Sequence, residues 1–223
     1  MLSAYVSEDV ELHMKCLTKT KVYLDSVADA TYAGPEILSM VMEAEKEYDA
    51  VVLYCFSDPA VEACRQMVSI PVIGAGQAAS LMIPQIAHQG LILLADKERI
   101  PEKKISILKT GIAQDRIAGF EGISLEEGGM EDKDEAIRQL VLAGKEGIRK
   151  TGAQVLVLGC LSFLGMAKEI QEKLQVPVID AAAVSVSMAE LMIRQGFYNS
   201  PKAYLTKEAS TYNRMNKREE KER

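Results

Sequence analysis

Apolar residues along this chain fall into short runs separated by longer amphipathic stretches, and one such arrangement is built twice. The apolar run Val51-Val-Leu-Tyr-Cys-Phe-Ser-Asp-Pro59 carries Cys55 at its end and Ser57 two residues later. The run Val155-Leu-Val-Leu-Gly-Cys-Leu-Ser162 does the same with Cys160 and Ser162. Each is followed by a helix-like segment and a second short apolar run opening with proline, at Pro71 and at Pro177. Cys55 lies 16 residues before Pro71, and Cys160 lies 17 before Pro177. The pattern predicts a duplicated α/β unit that presents one thiol from each copy.

The remaining elements follow from period and punctuation. Ser7–Leu17 has a capping serine and acidic first-turn residues, which predict a short helix. Lys21–Val27 alternates weakly as a strand. Gly34-Pro35 starts a helix to about Tyr48, with proline at the first helical position. Val51–Tyr54 reads as a buried parallel strand, Asp58–Met67 as a helix, Pro71–Ile73 as a strand and Gln77–His88 as a helix. Lys104–Lys109 alternates as a strand, and the glycine- and acid-rich stretch Glu121–Lys133 reads as an exposed loop. Asp134–Lys150 is an amphipathic helix with Ile137, Leu140, Val141 and Ile148 on one face. The second copy adds strand Val155–Leu158, helix Gly165–Leu174, strand Pro177–Ile179 and helix Ala183–Gln195. The tail Asn216–Arg223 is a mixed charge run, expected to be a solvated or frayed end.

Strands alternating with helices predict an α/β fold of two pseudo-symmetric, flavodoxin-like parallel-sheet lobes with the site between them. The expected lobes are residues 1–90, with about 180–205 packing back on them, and residues 91–205, followed by a charged tail at 206–223. In such folds ligands bind beyond the carboxyl ends of the strands, where Cys55 and Cys160 both fall.

Composition narrows the chemistry. The 223 residues are 48% hydrophobic and 26% charged, an ordinary globular balance, and their net charge of −6 argues against nucleic acid as the main partner. No apolar run reaches the ~18 residues needed to span a bilayer. The first residues lack a basic start and apolar core, so the expected location is the cytoplasm, where thiols stay reduced. Cys16, Cys55, Cys64 and Cys160 have no C-x-x-C spacing, and His13 and His88 stand alone, which argues against zinc.

A thiol between a strand end and a helix N-terminus is expected to have a lowered pKa. Two such thiols facing a ligand would suit a two-base reaction, in which one thiolate removes a proton from a stereocentre and the opposite thiol returns one. The enolate between them would rest on backbone donors, with no cofactor. Ser57 and Ser162 are placed to bond polar ligand atoms. The plainer reading, small apolar residues filling strand ends, fits one cysteine better than a matched pair and suits Cys16 and Cys64. Asp58 and Asp180 read either as helix caps or as substrate ligands. Gly74-Ala-Gly-Gln-Ala-Ala79 mimics a dinucleotide-binding G-x-G-x-x-A, but the second copy lacks those glycines.

Cys55-Phe-Ser-Asp-Pro59, Pro71-Val-Ile-Gly74, Gly159-Cys160, Gly165-Met166-Ala167, Val176-Pro-Val-Ile-Asp180 and Gly196-Phe-Tyr-Asn-Ser-Pro-Lys202 resemble the hydantoin racemase branch of the aspartate/glutamate racemase superfamily. The resemblance covers roughly residues 34–205. It implies a cofactor-independent racemase of a small-molecule substrate, assembled as a homo-oligomer, with Cys55 and Cys160 as its acid/base thiols. Phe56, Ser57, Leu161 and Ser162 would line the ligand through side chains or backbone. Lys109-Thr110 would stand at a strand end, making Thr110 a contact and Lys109 a reason to favour an anionic ligand. The family's N-terminal Asn-Pro-Asn-Ser/Thr loop has no counterpart before Cys16, and the first strand is either Leu2–Val6 or absent. A decarboxylase or cis–trans isomerase on the same scaffold, or a ligand-binding homologue without chemistry, are the alternatives. Two matched thiols favour racemisation, because decarboxylation needs one proton donor.

Overall fold

The computed structural model describes residues 1–20, 24, 26–109, 111, 113–124 and 132–204. Thr110, most of the Lys21–Val27 stretch and the charged tail lie outside the described residues. Among the described residues, no helix is long and apolar enough to cross a membrane.

The chain forms two compact units, each assembled from several segments. One comprises Met1–His13, Tyr54–Asp58 and Gly74–Met188; the other comprises Met14–Leu53, Pro59–Ile73 and Ala189 onward. In chain order the elements are α1 (Val27–Ala44), β1 (Val51–Leu53), α2 (Val61–Met67), β2 (Val72–Gly74), α3 (Ala75–Ile86) and β3 (Gly90–Leu94). There follow α4 (Ile100–Leu108), β4 (Ile117–Gly122), α5 (Lys133–Thr151), β5 (Val155–Leu158), α6 (Ala167–Leu174), β6 (Val178–Asp180) and α7 (Ala181–Arg194). Strands β1 and β2 pair, while the other four form a sheet in the order β4-β3-β5-β6. The pairs β3–β4, β3–β5 and β5–β6 are all parallel, so the α/β expectation holds.

The larger unit is a sheet with a core on each face, as alternation along buried strands requires. Ile92, Leu94, Val155, Val157 and Ile179 point to one side, against Ala75, Ala79 and Ile83 of α3 and Ala181 and Ala182 of α7. Leu91, Leu93, Leu156 and Leu158 point to the other, against Ile137 and Leu140 of α5 and Ile170 of α6. In the smaller unit, Ile37 and Val41 of α1 pack with Leu53, Val61, Cys64, Met67 and Val72.

Several expectations are corrected. Ser7–Leu17 forms no helix; the N-terminal helical turn is a 3-10 segment at Leu2–Tyr5, and no strand forms at Leu2–Val6. Val10, Leu12, Met14 and Leu17 give that stretch no buried face, and a short helix without tertiary packing does not persist in water. Helix α1 begins not at Pro35 but at Val27, after the N-cap Ser26, whose side chain and that of Asp29 close a capping box, leaving Pro35 inside the helix. Lys104–Lys109 belongs to helix α4, which Pro101 starts, and not to a strand. Its apparent alternation puts only Ile107 in the core. The Glu121–Lys133 stretch begins inside β4 and ends inside α5, and residues 125–131 lie outside the described residues.

Candidate functional site

Both cysteines belong to the larger unit. Each follows a short strand, and the two copies repeat the same backbone hydrogen bonds. Val51 N–H donates to the Pro71 carbonyl at 2.9 Å, and Leu156 N–H donates to the Pro177 carbonyl at 2.9 Å. These bonds set each cysteine strand beside the proline strand that follows it. Past each thiol the chain makes the same tight turn: Asp58 N–H to the Cys55 carbonyl at 3.0 Å, and Phe163 N–H to the Cys160 carbonyl at 3.1 Å. Neither cysteine opens an α-helix directly, since α2 begins at Val61 and α6 at Ala167.

Cys55 and Cys160 are both partly buried free thiols. Contrary to the expectation of a lowered value, burial pushes the Cys55 thiol up. The Ser57 backbone N–H on the sulfur and the Lys103 ammonium oppose that rise, while the Asp58 carboxylate and Cys160 add to it. That Cys160 acts on Cys55 electrostatically places the two sulfurs in one neighbourhood. Tyr54 ties the segments further: its hydroxyl donates to the Leu161 carbonyl at 3.4 Å. Burial, Asp180 and Cys160 all raise the Tyr54 phenol.

The other expected site residues separate into groups. Phe56 and Leu161 are core side chains, so what they offer a ligand is backbone. Ser57 is partly buried and accepts a hydrogen bond from Lys103 Nζ at 2.8 Å, whereas Ser162 is exposed. Lys109 is an exposed residue at the C-terminal end of helix α4 and not at a strand end, while Thr110 lies outside the described residues. The cation beside the thiol is Lys103, one of three lysines on that segment, partly buried where Lys104 and Lys109 are exposed.

Both aspartates are helix caps, Asp180 of the helix adjacent to it and Asp58 of a more distant one. Asp58, held in the left-handed region at φ 48°, does not cap the α2 helix that follows it. Its buried carboxylate instead accepts from Gly76 N–H at 2.9 Å and Gln77 N–H at 2.7 Å, capping α3. Asp180 accepts from Ala182 N–H at 3.0 Å and Ala183 N–H at 3.2 Å, capping α7, and from Gly165 N–H at 2.9 Å in the loop after Cys160.

These contacts also explain the glycines of the dinucleotide-like stretch. A Cβ on Gly74 would lie 2.6 Å from the Asp58 carboxyl carbon, and one on Gly76 would strike the Phe56 carbonyl oxygen. The glycines make room for the chain's own cysteine turn rather than for a pyrophosphate.

A parallel α/β protein with two matched cysteine turns at strand ends is the class that fold and site define. Residues 1–189 match the pattern of the Asp/Glu/Hydantoin racemase family, and the chain belongs to that family. It is 30% identical over 177 residues to a hydantoin racemase of Paenarthrobacter aurescens, covering 77% of this chain and 74% of that one. Among solved structures, the allantoin racemase from Klebsiella pneumoniae superposes with a TM-score of 0.81 at 24% identity, over 89% of this chain and 82% of that one. An arylmalonate decarboxylase has the same fold more distantly, with a TM-score of 0.57 at 15% identity over 74% of this chain and 78% of that one.

Proposed function

We propose that this protein is a cofactor-independent racemase of a hydantoin-like cyclic amide, allantoin and 5-substituted hydantoins being the first compounds to try. The observation that carries the reading is the pair of thiols on matched turns within one compact unit, close enough for one to perturb the other. One thiolate takes the ring C–H proton next to the carbonyl. The electron pair passes to the carbonyl oxygen as an enolate, and the opposite thiol gives its proton to the other face. The cysteines then exchange protonation states, so the next turnover runs from the opposite side. Backbone N–H groups of the two turns that lie outside the turn hydrogen bonds, at Phe56, Leu161 and Ser162, are the donors offered to the enolate oxygen. Phe56 and Leu161 serve through their backbone, Ser57 and Ser162 through their hydroxyls. Asp58 clasps the first cysteine turn to the start of α3, and it and Thr110 remain proposed contacts. A single active thiol would suffice for decarboxylation, so the matched pair favours racemisation over that neighbouring chemistry.

The test uses single enantiomers of allantoin and of several 5-substituted hydantoins in D₂O. Decay of optical activity with deuterium appearing at the stereocentre supports the proposal. Retention of both optical activity and protium, at enzyme levels that reveal slow turnover, would sink it.

A further inference from the structure

The two thiols sit on matching turns but in unlike electrostatic settings, and the difference comes from α4. Lys103 reaches from α4 to the first turn, where its Nζ donates to Ser57 Oγ at 2.8 Å. Ser57 stands two residues past Cys55, and its backbone N–H favours the thiolate there. One serine therefore links the ammonium to the turn that carries the thiol. On the second turn the matching Ser162 is exposed, and among the described residues no lysine or arginine bonds it.

Resting on the racemase reading for its catalytic consequence, we propose that Lys103 is a positioning residue that balances the charge of Cys55 as a thiolate, making Cys55 the charge-compensated base of the pair. The groups acting on Cys55 are Lys103 from α4, Asp58 from its own turn and Cys160 from the second turn, and Lys103 is the one cation among them. Burial and the two acidic neighbours disfavour the thiolate, so the ammonium is the side-chain group that makes it attainable. Because two enantiomers have equal free energies, removing Lys103 must lower kcat/KM equally in both directions; asymmetry can appear only in kcat and KM taken separately.

The experiment follows iodoacetamide alkylation against pH, with each cysteine peptide quantified by mass spectrometry, in the wild type, K103M and K103R. Exposed Cys16 is the internal control. The expected result is that Cys55 in K103M is alkylated about tenfold more slowly at pH 8, its profile moving about one unit up, since one unit corresponds to a tenfold change. K103R should restore most of the rate, and Cys16 should be unchanged. A wild-type profile for Cys55 in folded K103M overturns the proposal, as does an equal loss in K103R. The readout needs no substrate, so it stands whether or not the protein racemises anything. If the wild type does racemise, K103M retaining its full kcat/KM also overturns the proposal while leaving the racemase reading intact.

Discussion

The Cys55 turn and the Cys160 turn share their backbone and differ in nearly every side chain around it. Tyr54 before the first thiol is matched by Gly159, which a Cβ would drive against Ile92 and the Leu93 carbonyl. Asp58 after it is matched by the core residue Phe163. The strand that follows ends in Gly74 on one side and Asp180 on the other. Yet each copy puts one carboxylate on the second and third N–H groups of the helix after its proline strand. In the first copy that carboxylate comes from the cysteine turn, and in the second from the strand end. The comparison teaches that the conserved quantity of the repeat is the joint, a carboxylate clasping cysteine turn to helix, and not the residue that supplies it.

Breaking the symmetry of the thiols has the largest expected effect. C55S and C160S should each cut racemisation by about 10³-fold, within the usual range for removing a general acid or base. Polarimetry on both enantiomers would check this, and full activity in either variant rejects the two-base assignment.

Exchanging the joint comes next. D58A leaves two buried N–H groups without their acceptor and should cost about 1–3 kcal/mol in urea unfolding. G74D alone should be similarly harmful, because its carboxylate would meet that of Asp58. The double variant D58A/G74D should regain part of the loss by copying the Asp180 arrangement. Additive losses in the double variant would mean that the two positions do not share one site.

The pH dependence of labelling probes the first thiol more gently. Burial pushes the Cys55 thiol up, so its alkylation should rise at higher pH than that of exposed Cys16. A Cys55 profile lying at or below that of Cys16 contradicts the raised thiol.

The smallest effect concerns a cysteine outside both turns. Burial in the smaller unit pushes Cys64 from 9.0 to about 11. A raised thiol pKa means the fold favours the neutral form. That contribution is whole below pH 9.0 and drains away as the pH climbs towards 11. Cys64 should therefore resist alkylation at pH 8 while Cys16 reacts, and comparable labelling of both would refute its burial.

The sequence made the repeat legible because β5 is an unbroken apolar run and because each copy carries proline at the same strand entry. It did not reveal β3, the central strand, although Leu91, Ile92, Leu93 and Leu94 are all buried. No cysteine motif flags that run, and the alternation of Lys104–Lys109 points to a strand where helix α4 stands. Misplacing that strand put the cation at Lys109, when the residue turned toward the thiol is Lys103. The period of α4 could have found it: Lys103 and buried Ile107 are four apart, hence on one helix face. The crossing of Asp58 to α3 is beyond sequence reasoning, since a cap 18 residues from its donor has no local signature. The lowered thiol pKa failed for a related reason, because solvent exclusion and neighbouring acids outweigh the turn's few N–H donors at Cys55.

The borrowed cap of α3 also bears on how such a molecule can change over generations. Two single replacements separate the arrangement of the first joint from that of the second. Taken in one order, the intermediate holds two carboxylates in a space built for one; taken in the other, it holds none. A lineage that has settled on either arrangement meets a dip in fitness on every one-step route to the other. Copies so separated accumulate their own neighbours, and a cation such as Lys103 can become fixed beside one thiol without a counterpart ever being selected beside its twin.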